Sequence, residues 1–463
     1  MNDKVLLLYP SYEGPPLGPP LSLLSLASPL LEAGFRVRIL DGAIEPIADM
    51  LESEIADAMC VGISFLTGSM IRESMALSRL ARRFKPGIPI IFGGWHSSLL
   101  PEQTLRSGLA DILVRGQGEM TLLEIVSHLR DSHFPATISG ASFRHETEVV
   151  HNSDRPTEHI NNFPAPAFSL ADFDAYERRT GQRKLPYATS LGCPYACNYC
   201  TDQVFYERKF NAYPASRVVA EVTDLVSRYK LHSVAFLDSN FPVNVRRAGE
   251  IARGFLDAKA RFGWTFQAST DLLCRMSDDE VCLLGEAGVT HMGFGTESAS
   301  EQVLEWMNKK HQRIDDMFET ARKAEKAAIR VTFNLILGYP GETEADRVET
   351  FRVMHEIFRK HSNVNFSPNI FTPYPGIPIW PQLRTMGVQE PQSLEDWANV
   401  GLGSNHLPWL QGDDLRRLKR MLKEFLTTNR RQEPQSKSVT TRRSLLTGQA
   451  LRREVTTKAG GMS

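Results

Sequence analysis

Three cysteines lie within eight residues of one another, in the segment SLGCPYACNYCTD. Cys193, Cys197 and Cys200 have a C-x3-C-x2-C spacing that directly follows a short apolar run typical of a strand. Three thiolates can bind three irons of a cubane cluster, and the fourth iron then keeps an open position for a substrate or cofactor. A zinc site would need a fourth ligand, and the neighbouring sequence offers no second C-x2-C and no convenient histidine. The spacing therefore favours a [4Fe-4S] cluster.

The other cysteines have a different setting. Cys60, Cys274 and Cys282 are scattered through apolar or helix-like segments. A cluster of three with the rest dispersed is typical of a metal site and not of a disulfide framework. We expect the scattered cysteines to be core residues, which is common for free thiols.

Composition excludes several classes of protein. The 463 residues are 42% hydrophobic and 23% charged, with a formal net charge of -1, which is typical of a soluble enzyme of two or three domains. Such a charge provides no field that would attract nucleic acid. The first apolar run breaks at Pro10, too early for a secretory signal, and no stretch is long enough to be transmembrane. These features predict a cytoplasmic location.

The strands and helices that must position the cysteines occur in two alternating series. Short apolar strands alternate with helices from residue 4 to about residue 130, which predicts a doubly wound, Rossmann-like α/β domain over residues 1–140. A polar, proline-containing linker follows at 141–184, with a small hairpin. Doubly wound sheets bind ligands at the carboxyl ends of their strands.

The second half alternates again. Six strand–helix units over residues 185–394 predict a partial (β/α)6 barrel, whose active site forms at the carboxyl ends of its strands. The cysteines come directly after the first of these strands. Residues 395–432 are predicted to be a small helical C-terminal region, and 433–463 a disordered tail.

Together these features resemble a known family. Residues 185–380 resemble the radical S-adenosylmethionine (SAM) core, and residues 1–140 resemble the cobalamin (B12)-binding domain often fused ahead of it. The resemblance implies that the open iron binds the amino and carboxylate groups of SAM. It further implies that one electron cleaves SAM to methionine and a 5′-deoxyadenosyl radical. By its place in the motif, Tyr199 would lie beside the adenine.

Further motifs fall at the ends of the predicted barrel strands. FLDSNF, MGFGTESASEQVLEWMNKKH and LILGYPGET are similar to the family's SAM-contacting stretches. Turn formation and helix capping are the alternative roles of such residues. The resemblance assigns the following SAM contacts: Asp238, Asn240, Glu297, Ser298, Lys309, Gly338, Pro340 and Gly341.

Two loops of the first half resemble those of the cobalamin-domain branch. In GGWHSSLLPEQTL and VRGQGEMTLLEIV, Gly93, Gly94 and Gly116 would let a planar corrin rest on the backbone, while Ser64 and Thr67 would contact its nucleotide tail. The motif D-x-H-x-x-G is absent, so the resemblance implies no histidine ligand to cobalt. His96 is interpreted either as a loop contact or as a satisfied surface histidine.

The leading hypothesis is a cobalamin-dependent radical SAM methyltransferase that acts on an unactivated carbon of a small biosynthetic substrate. One alternative is a cobalamin-free radical SAM dehydratase or lyase, acting on an aminoglycoside-type sugar diol in antibiotic biosynthesis with a reductase partner. A second alternative is a non-catalytic corrinoid-binding protein. The enzyme hypotheses require an electron donor of the flavodoxin or ferredoxin type. Trp95, Asp271 and Tyr374 are candidates for lining a substrate pocket, and no catalytic residue is assigned.

Overall fold

The predicted alternation of strands and helices is present in the computed structural model, which describes residues 3–146, 148–401 and 407–429. Seven strands form the first sheet. They are β1 (Lys4–Tyr9), β2 (Arg36–Asp41), β3 (Ala58–Ser64), β4 (Ile90–Gly93), β5 (Ile112–Val114), β6 (Ala141–His145) and β7 (Glu148–His151). Its helices are α1 (Leu21–Glu32), α2 (Ile47–Ile55), α3 (Ser69–Phe84), α4 (Trp95–Leu99), α5 (Pro101–Arg106) and α6 (Glu119–Arg130).

The first sheet has the order β2-β1-β3-β4-β5-β6-β7, and its first five strands are parallel. Strand order reverses between β1 and β3, and the carboxyl ends at such a switch point form the ligand crevice of a doubly wound sheet. β6 and β7 add an antiparallel hairpin beside β5. The first sheet therefore extends into part of the predicted linker. The polar composition of this hairpin gave no sign that it would pair with β5.

A second sheet contains the six parallel strands predicted for the barrel. Its strands are β8 (Lys184–Tyr187), β11 (Ser233–Phe236), β12 (Gly263–Ala268), β13 (Val289–Glu297), β14 (Arg330–Leu337) and β15 (Val364–Ile370). Two short strands, β9 (Ser190–Leu191) and β10 (Asn211–Ala212), form a separate antiparallel pair. The helices are α7 (Phe173–Thr180) before it, then α8 (Asp202–Phe205), α9 (Ala215–Tyr229), α10 (Val245–Asp257), α11 (Thr270–Arg275), α12 (Asp278–Glu286), α13 (Glu301–Trp306), α14 (Ile314–Lys326) and α15 (Glu344–Lys360).

The order β15-β14-β13-β12-β11-β8 leaves the sheet open between β8 and β15, as expected of a partial barrel. Alternate residues of β14 show why it folds this way: Val331, Phe333 and Leu335 are fully buried, and the residues between them are only partly buried. One face thus packs in the core and the other lines the concave interior. The α/β fold class predicted from the sequence is confirmed.

The first half of the chain reaches the barrel through the loop after β1. A Cβ on Gly18 would lie 2.7 Å from the Pro186 ring and 2.9 Å from the Lys184 carbonyl oxygen. Gly18 also has φ +132°, a conformation that side chains rarely adopt. The backbone of this proline-rich loop therefore lies directly against β8.

The C-terminal part returns to the first half of the chain. It contains α16 (Trp380–Thr385), α17 (Leu394–Trp397) and α18 (Gly412–Thr428). Arg72 on α3 donates to the Asn399 side chain at 3.1 Å, and Gln103 donates to the Pro391 carbonyl at 3.0 Å. Helices thus occur in the predicted C-terminal region, whereas the predicted tail at 433–463 lies outside the described residues.

The described helices and cysteines bear on two further expectations. No described helix is long and apolar enough to cross a membrane. All six cysteines are free thiols, and Cys60 is buried as expected, but Cys274 and Cys282 are only partly buried. Both lie on helices, α11 and α12, that border the barrel core, so they are boundary residues and not core residues.

Candidate active site

The cysteine loop follows β9 at the carboxyl end of the first barrel strand. Its backbone is held by the turn after α13: Asn198 N donates to the Met307 carbonyl at 2.9 Å. The Asn308 side chain donates to the Ala196 carbonyl at 2.7 Å, and the Asn198 side chain donates to the Trp306 carbonyl at 2.9 Å. These hydrogen bonds fix the loop conformation between its cysteines, which is what a preformed metal site needs.

The thiols of Cys193, Cys197 and Cys200 are mostly buried, and burial raises the pKa of each, for Cys200 to about 12. A metal that replaces the thiol proton offsets this cost. No three His, Cys, Asp or Glu side chains of the described chain are arranged to hold a single metal ion. A cubane has a different requirement, because each thiolate binds a different iron. The donor set of three thiols thus fits a cluster better than zinc.

Glu297, Tyr199 and Lys309 form a buried group beside this loop. The Tyr199 hydroxyl donates to Glu297 Oε1 at 2.9 Å, and Lys309 Nζ lies 3.2 Å from that hydroxyl and 3.6 Å from Glu297 Oε1. Glu297 has φ +59°, a left-handed conformation that costs a non-glycine residue on the order of 1–3 kcal/mol. Strain of this kind is typical of functional sites. The structure thus brings together three of the predicted SAM contacts.

Gly295→Ala tests whether this arrangement matters for SAM binding. A Cβ at position 295 would lie 2.5 Å from Glu297 Oε1, so the carboxylate must shift from the position in which it accepts from Tyr199. We expect SAM affinity to fall roughly tenfold, measured by equilibrium dialysis with radiolabelled SAM. Gly249→Ala is the control, because a Cβ there meets nothing within 4 Å. Unchanged affinity in Gly295→Ala would remove Glu297 from the SAM site.

The two polar residues predicted after β11 have different surroundings. The Asp238 carboxylate accepts from the Thr189 hydroxyl at 2.7 Å, from the Thr189 backbone N–H at 3.2 Å and from the Ser190 hydroxyl. The Asn240 amide nitrogen lies 3.2 Å from Ser269 Oγ and 4.0 Å from Cys193 Sγ. Asp238 is thus engaged in joining strand ends, whereas Asn240 lies next to the cysteines. Contact of either residue with SAM stays a prediction.

Ser298 is fully buried, and its hydroxyl lies 3.1 Å from Thr350 Oγ1 on α15, so its visible role is to attach β13 to that helix. The loop after β14 has left-handed Gly338 and Gly341, with φ +74° and +88°. A Cβ on Gly341 would lie 2.9 Å from the Trp306 ring. Close backbone packing therefore explains these glycines, and their contact with SAM, like that of Pro340, stays a prediction.

Glu342, just after this loop, should give the protein a measurable pH dependence. Its carboxylate accepts from the Gly338 N–H and lies 3.3 Å from Arg347 Nη1, and burial raises its pKa from 4.5 to about 7. Because the folded state then holds a proton that the unfolded state releases, this group destabilises the fold progressively as pH rises from 4.5 to 7. Over that pH window this group should lower the free energy of unfolding of the wild type by about 3 kcal/mol. Glu342→Gln should not show this decrease.

Urea unfolding of wild type and Glu342→Gln at several pH values measures this difference. The matched control is Glu344→Gln, whose exposed carboxylate pairs with Arg417 at the surface. We expect the control to follow the wild-type curve. A constant difference between wild type and Glu342→Gln from pH 5 to 8 would contradict the prediction.

Asp271 and two residues that the sequence analysis missed form a polar group on the other side of the cysteine loop. The Tyr195 hydroxyl donates to Asp271 Oδ2 at 2.6 Å, and the Tyr195 ring stacks on His311 with centroids 3.6 Å apart. Asp271 Oδ1 and His311 Nε2 are buried without a hydrogen-bond partner among the described residues. Tyr195 lies inside the cysteine motif, which was the available signal. His311 is far from it in sequence and carried none.

A cavity of about 820 Å³ lies between the carboxyl ends of the two sheets. From the first sheet it is lined by every residue predicted to contact cobalamin: Ser64, Thr67, Gly93, Gly94 and Gly116. From the barrel side it is lined by Leu191 and Phe205, which flank the cysteine loop in sequence. The two predicted cofactor regions therefore face one space.

The glycines show how a large planar group fits this cavity. A Cβ at Gly116 would meet nothing within 4 Å, and one at Gly93 would meet only Val114, at 3.9 Å. Any larger side chain there would occupy the cavity. Gly116 also has φ +70°, a conformation that side chains rarely adopt, so its turn favours glycine as well. Gly94 is different, because the Phe65 carbonyl would lie 2.6 Å from its Cβ and leaves no room for a side chain. Open backbone at two strand ends fits a corrin ring.

The interpretation of His96 as a satisfied surface histidine is wrong, because the residue is completely buried. Its Nδ1 lies 2.9 Å from Thr67 Oγ1, its ring packs between Phe65 and Trp397, and burial lowers its pKa to about 4. His96 itself is not among the residues that line the cavity. The described residues that line the cavity include no histidine.

Two of the candidate pocket residues, Trp95 and Tyr374, line the cavity. The Trp95 ring stacks on Phe205 with centroids 4.5 Å apart and an interplanar angle of 14°, and Tyr206 packs edge-on against both. Trp95 comes from the first half of the chain and Phe205 from the segment after the cysteines. Sequence analysis missed Phe205, since a stack between distant segments has no local pattern. This stack forms one wall of the cavity.

Comparison with known proteins gives two family matches. The profile of the Radical SAM superfamily matches residues 187–354, and that of the B12 binding domain matches residues 14–126. These regions correspond to the barrel and to the first sheet.

Individual proteins are also similar to this chain. An uncharacterized methyltransferase of Pyrococcus horikoshii is 28% identical over 81% of this chain and 82% of its own length. The anaerobic magnesium-protoporphyrin IX monomethyl ester cyclase of Synechocystis is 26% identical over 69% of this chain and 65% of its own. The structure of the methyltransferase TsrM from Kitasatospora setae, with cobalamin and a [4Fe-4S] cluster bound, has a TM-score of 0.72 at 19% identity and covers 84% of this chain and 76% of that one. Proteins similar to this chain thus include both methyltransferases and a cyclase.

Proposed function

Because the chain belongs to the radical SAM superfamily, in the branch with an N-terminal B12-binding domain, we propose that it is a cobalamin-dependent methyltransferase. Its substrate would be a small molecule methylated at an unactivated carbon. One observation carries the proposal: the cavity lined by all five predicted cobalamin-contact residues is also lined by residues that flank the cysteine loop. A methyl donor and a radical generator are useful together only when they share one substrate space.

The residues have separate tasks in this proposal. Cys193, Cys197 and Cys200 hold the [4Fe-4S] cluster, and Tyr199, Glu297, Lys309 and Asn240 bind SAM beside it. Gly93 and Gly116 leave the backbone open for the corrin. When bound, the cluster and SAM supply a 5′-deoxyadenosyl radical and cobalamin supplies the methyl group, so that the protein itself provides orientation and exclusion of water.

The aromatic wall supports the exclusion of water. The Trp95–Phe205 stack joins the two halves of the chain at the cavity, and Tyr206 closes the gap beside it. Apolar rings at this place keep water from a reactive carbon radical. Leu66 is an exposed apolar residue that also lines the cavity, on the side of the first sheet. Since the described lining has no histidine, the cobalt would not receive a histidine ligand from it.

Electron supply and location complete the proposal. The cluster requires a one-electron donor, for which a flavodoxin or ferredoxin is the natural class. Six free thiols and an oxygen-sensitive cluster suit the reducing conditions of the cytoplasm. A role in the biosynthesis of a natural product such as an antibiotic fits a small-molecule substrate.

Metal content and methyl transfer test the proposal together. The protein is purified without oxygen and reconstituted with iron, sulfide and hydroxocobalamin, and we expect about four irons and one cobalt per chain. Methyl-labelled SAM should then label the cobalamin cofactor after reduction. About four irons without cobalt would overturn the methyltransferase assignment and favour a cobalamin-free radical SAM dehydratase. Cobalt without iron would leave only a corrinoid carrier.

A further inference from the structure

The concave face of the barrel is lined by uncharged hydrogen-bonding side chains on β12–β15. Along β14 the residues that alternate with the buried Phe333 and Leu335 are Thr332 and Asn334. On β15, Asn365 and Ser367 pair with them in register. Because parallel strands in register present aligned residues to the same face, these four side chains point into the barrel interior together.

The strand register arranges these residues in layers. In one layer, Gln267 on β12 pairs with Gly293 on β13, Gly293 with Thr332, and Thr332 with Asn365. A Cβ on Gly293 would clash with the Gln267 carboxamide, so the glycine makes room for that amide inside the barrel. The layer therefore presents two carboxamides and a hydroxyl.

The next layer lies closer to the cysteines. It runs from Gly295 through Asn334 to Ser367. The carboxamides of Asn334, Gln267 and Asn365 have no hydrogen-bond partner among the described residues of the protein. Carboxamides without partners that face an open interior are free to bind a ligand, since each offers both a donor and an acceptor.

Charged groups near this face lie at the two ends of the strands. At the carboxyl end, Lys309 pairs with Glu297 beside Gly295. Lys184 and Arg330 are the first residues of β8 and β14, at the end opposite to the cysteines. His291 lies near them, with Nε2 2.8 Å from Thr332 Oγ1. Burial, reinforced by the charges of Arg330 and Lys184, lowers the pKa of His291 to about 4, so its ring is neutral at pH 7.

The opposite side of the interior is apolar. Pro186, Ala188 and Leu237, from the β8 and β11 side, line the cavity that faces the first sheet. A substrate bound between these sides would have its polar groups on β12–β15. Its carbon skeleton would lie toward the space shared with the B12-binding domain.

We propose that this interior selects a neutral small molecule with several hydroxyl or amide groups, bound by Gln267, Asn334 and Asn365. The cations named above lie at the ends of the strands, and Lys309 is already paired with Glu297, so a polyanion would gain little from the middle of the barrel. A hydrocarbon would leave three carboxamides desolvated without partners. Gln267, Asn334 and Asn365 are not among the residues that line the cavity between the two sheets, so the inference adds a polar subsite in the barrel interior. It rests on the proposed function, because it names the substrate class of that function.

Ligand-observed saturation-transfer NMR on the reconstituted holoenzyme with SAM tests the class directly. Three probe sets of similar size are compared: neutral hydroxyl and amide compounds including N-acetylglucosamine, phosphates including glucose 6-phosphate, and terpenes including geraniol. We expect the neutral set to bind preferentially. In Asn334→Leu/Asn365→Leu, its binding should be about tenfold weaker, because two hydrogen-bonding groups are lost.

The control is Asn162→Leu, which makes the same substitution at an exposed position away from the barrel interior. Iron content and dithionite-driven SAM cleavage are measured for every variant, and Asn334→Ser/Asn365→Ser replaces the leucine pair if that pair fails to fold. Preference for phosphates or terpenes, no binding of the neutral set, or equal binding by the interior variant would overturn the inference. Loss of SAM cleavage in the wild type would instead refute the proposed function, while leaving the binding result readable.

Discussion

Replacing Cys197 by alanine is expected to abolish reductive cleavage of SAM. The thiol is 7% exposed and lies in the middle of the cysteine loop, whose neighbouring residues Ala196 and Asn198 are bonded to the turn after α13. No other described cysteine is in this loop apart from Cys193 and Cys200, so no thiol can replace it. Loss of even an outer partner of a metal ligand costs about 10–100-fold, and loss of the ligand itself should cost more.

The measurements are iron content, the visible absorption of the cluster, and 5′-deoxyadenosine formed with dithionite. Cys282→Ala is the matched control, because Cys282 is a partly buried thiol on α12 outside the cysteine loop. We expect the control to keep wild-type iron and activity. Full SAM cleavage by Cys197→Ala would require the radical SAM assignment to be abandoned.

The cysteine site could be proposed from the sequence because its information is local. Cys193, Cys197, Cys200 and Tyr199 lie within one loop, and the spacing of the cysteines favours a cluster. The alternation of strands and helices could also be predicted, because buried parallel strands are continuous apolar runs and helices have periodically spaced apolar residues. The alternation predicted both sheets and the six barrel strands before their partners were known.

Sequence analysis failed where the role of a residue depends on a distant partner. Asp238 has the right place in its motif, yet three hydrogen bonds from Thr189 and Ser190 engage its carboxylate. His96 is a polar residue in a glycine-rich loop, and only the packing of α17 against the first half of the chain buries it. The Asp238 contacts join residues 48 and 49 positions apart, and the His96 contact joins two halves of the chain, so no local pattern records them.

Register is the other property that the sequence does not display. Gln267, Thr332 and Asn365 are separated by long helical connections, and each alone resembles an ordinary polar strand residue. Pairing of the strands places them in one layer. The substrate-facing surface of the barrel therefore emerges only when the strands are aligned, whereas the cysteine site is visible beforehand.

Gly93→Leu is expected to separate methyl transfer from radical formation. Gly93 ends β4 at the cavity, and a Cβ there meets only Val114 at 3.9 Å, so the backbone tolerates a side chain that then projects into the corrin space. A leucine adds four carbons where a planar ring must lie against the backbone, and we expect cobalt content to fall at least about tenfold. Iron content and dithionite-driven SAM cleavage should stay near wild type, because Gly93 lies on the first sheet.

Gly249→Leu on α10 is the control and should keep both metals. Cobalt retained in Gly93→Leu would place the corrin elsewhere, whereas joint loss of iron and cobalt would show that the variant damages the fold.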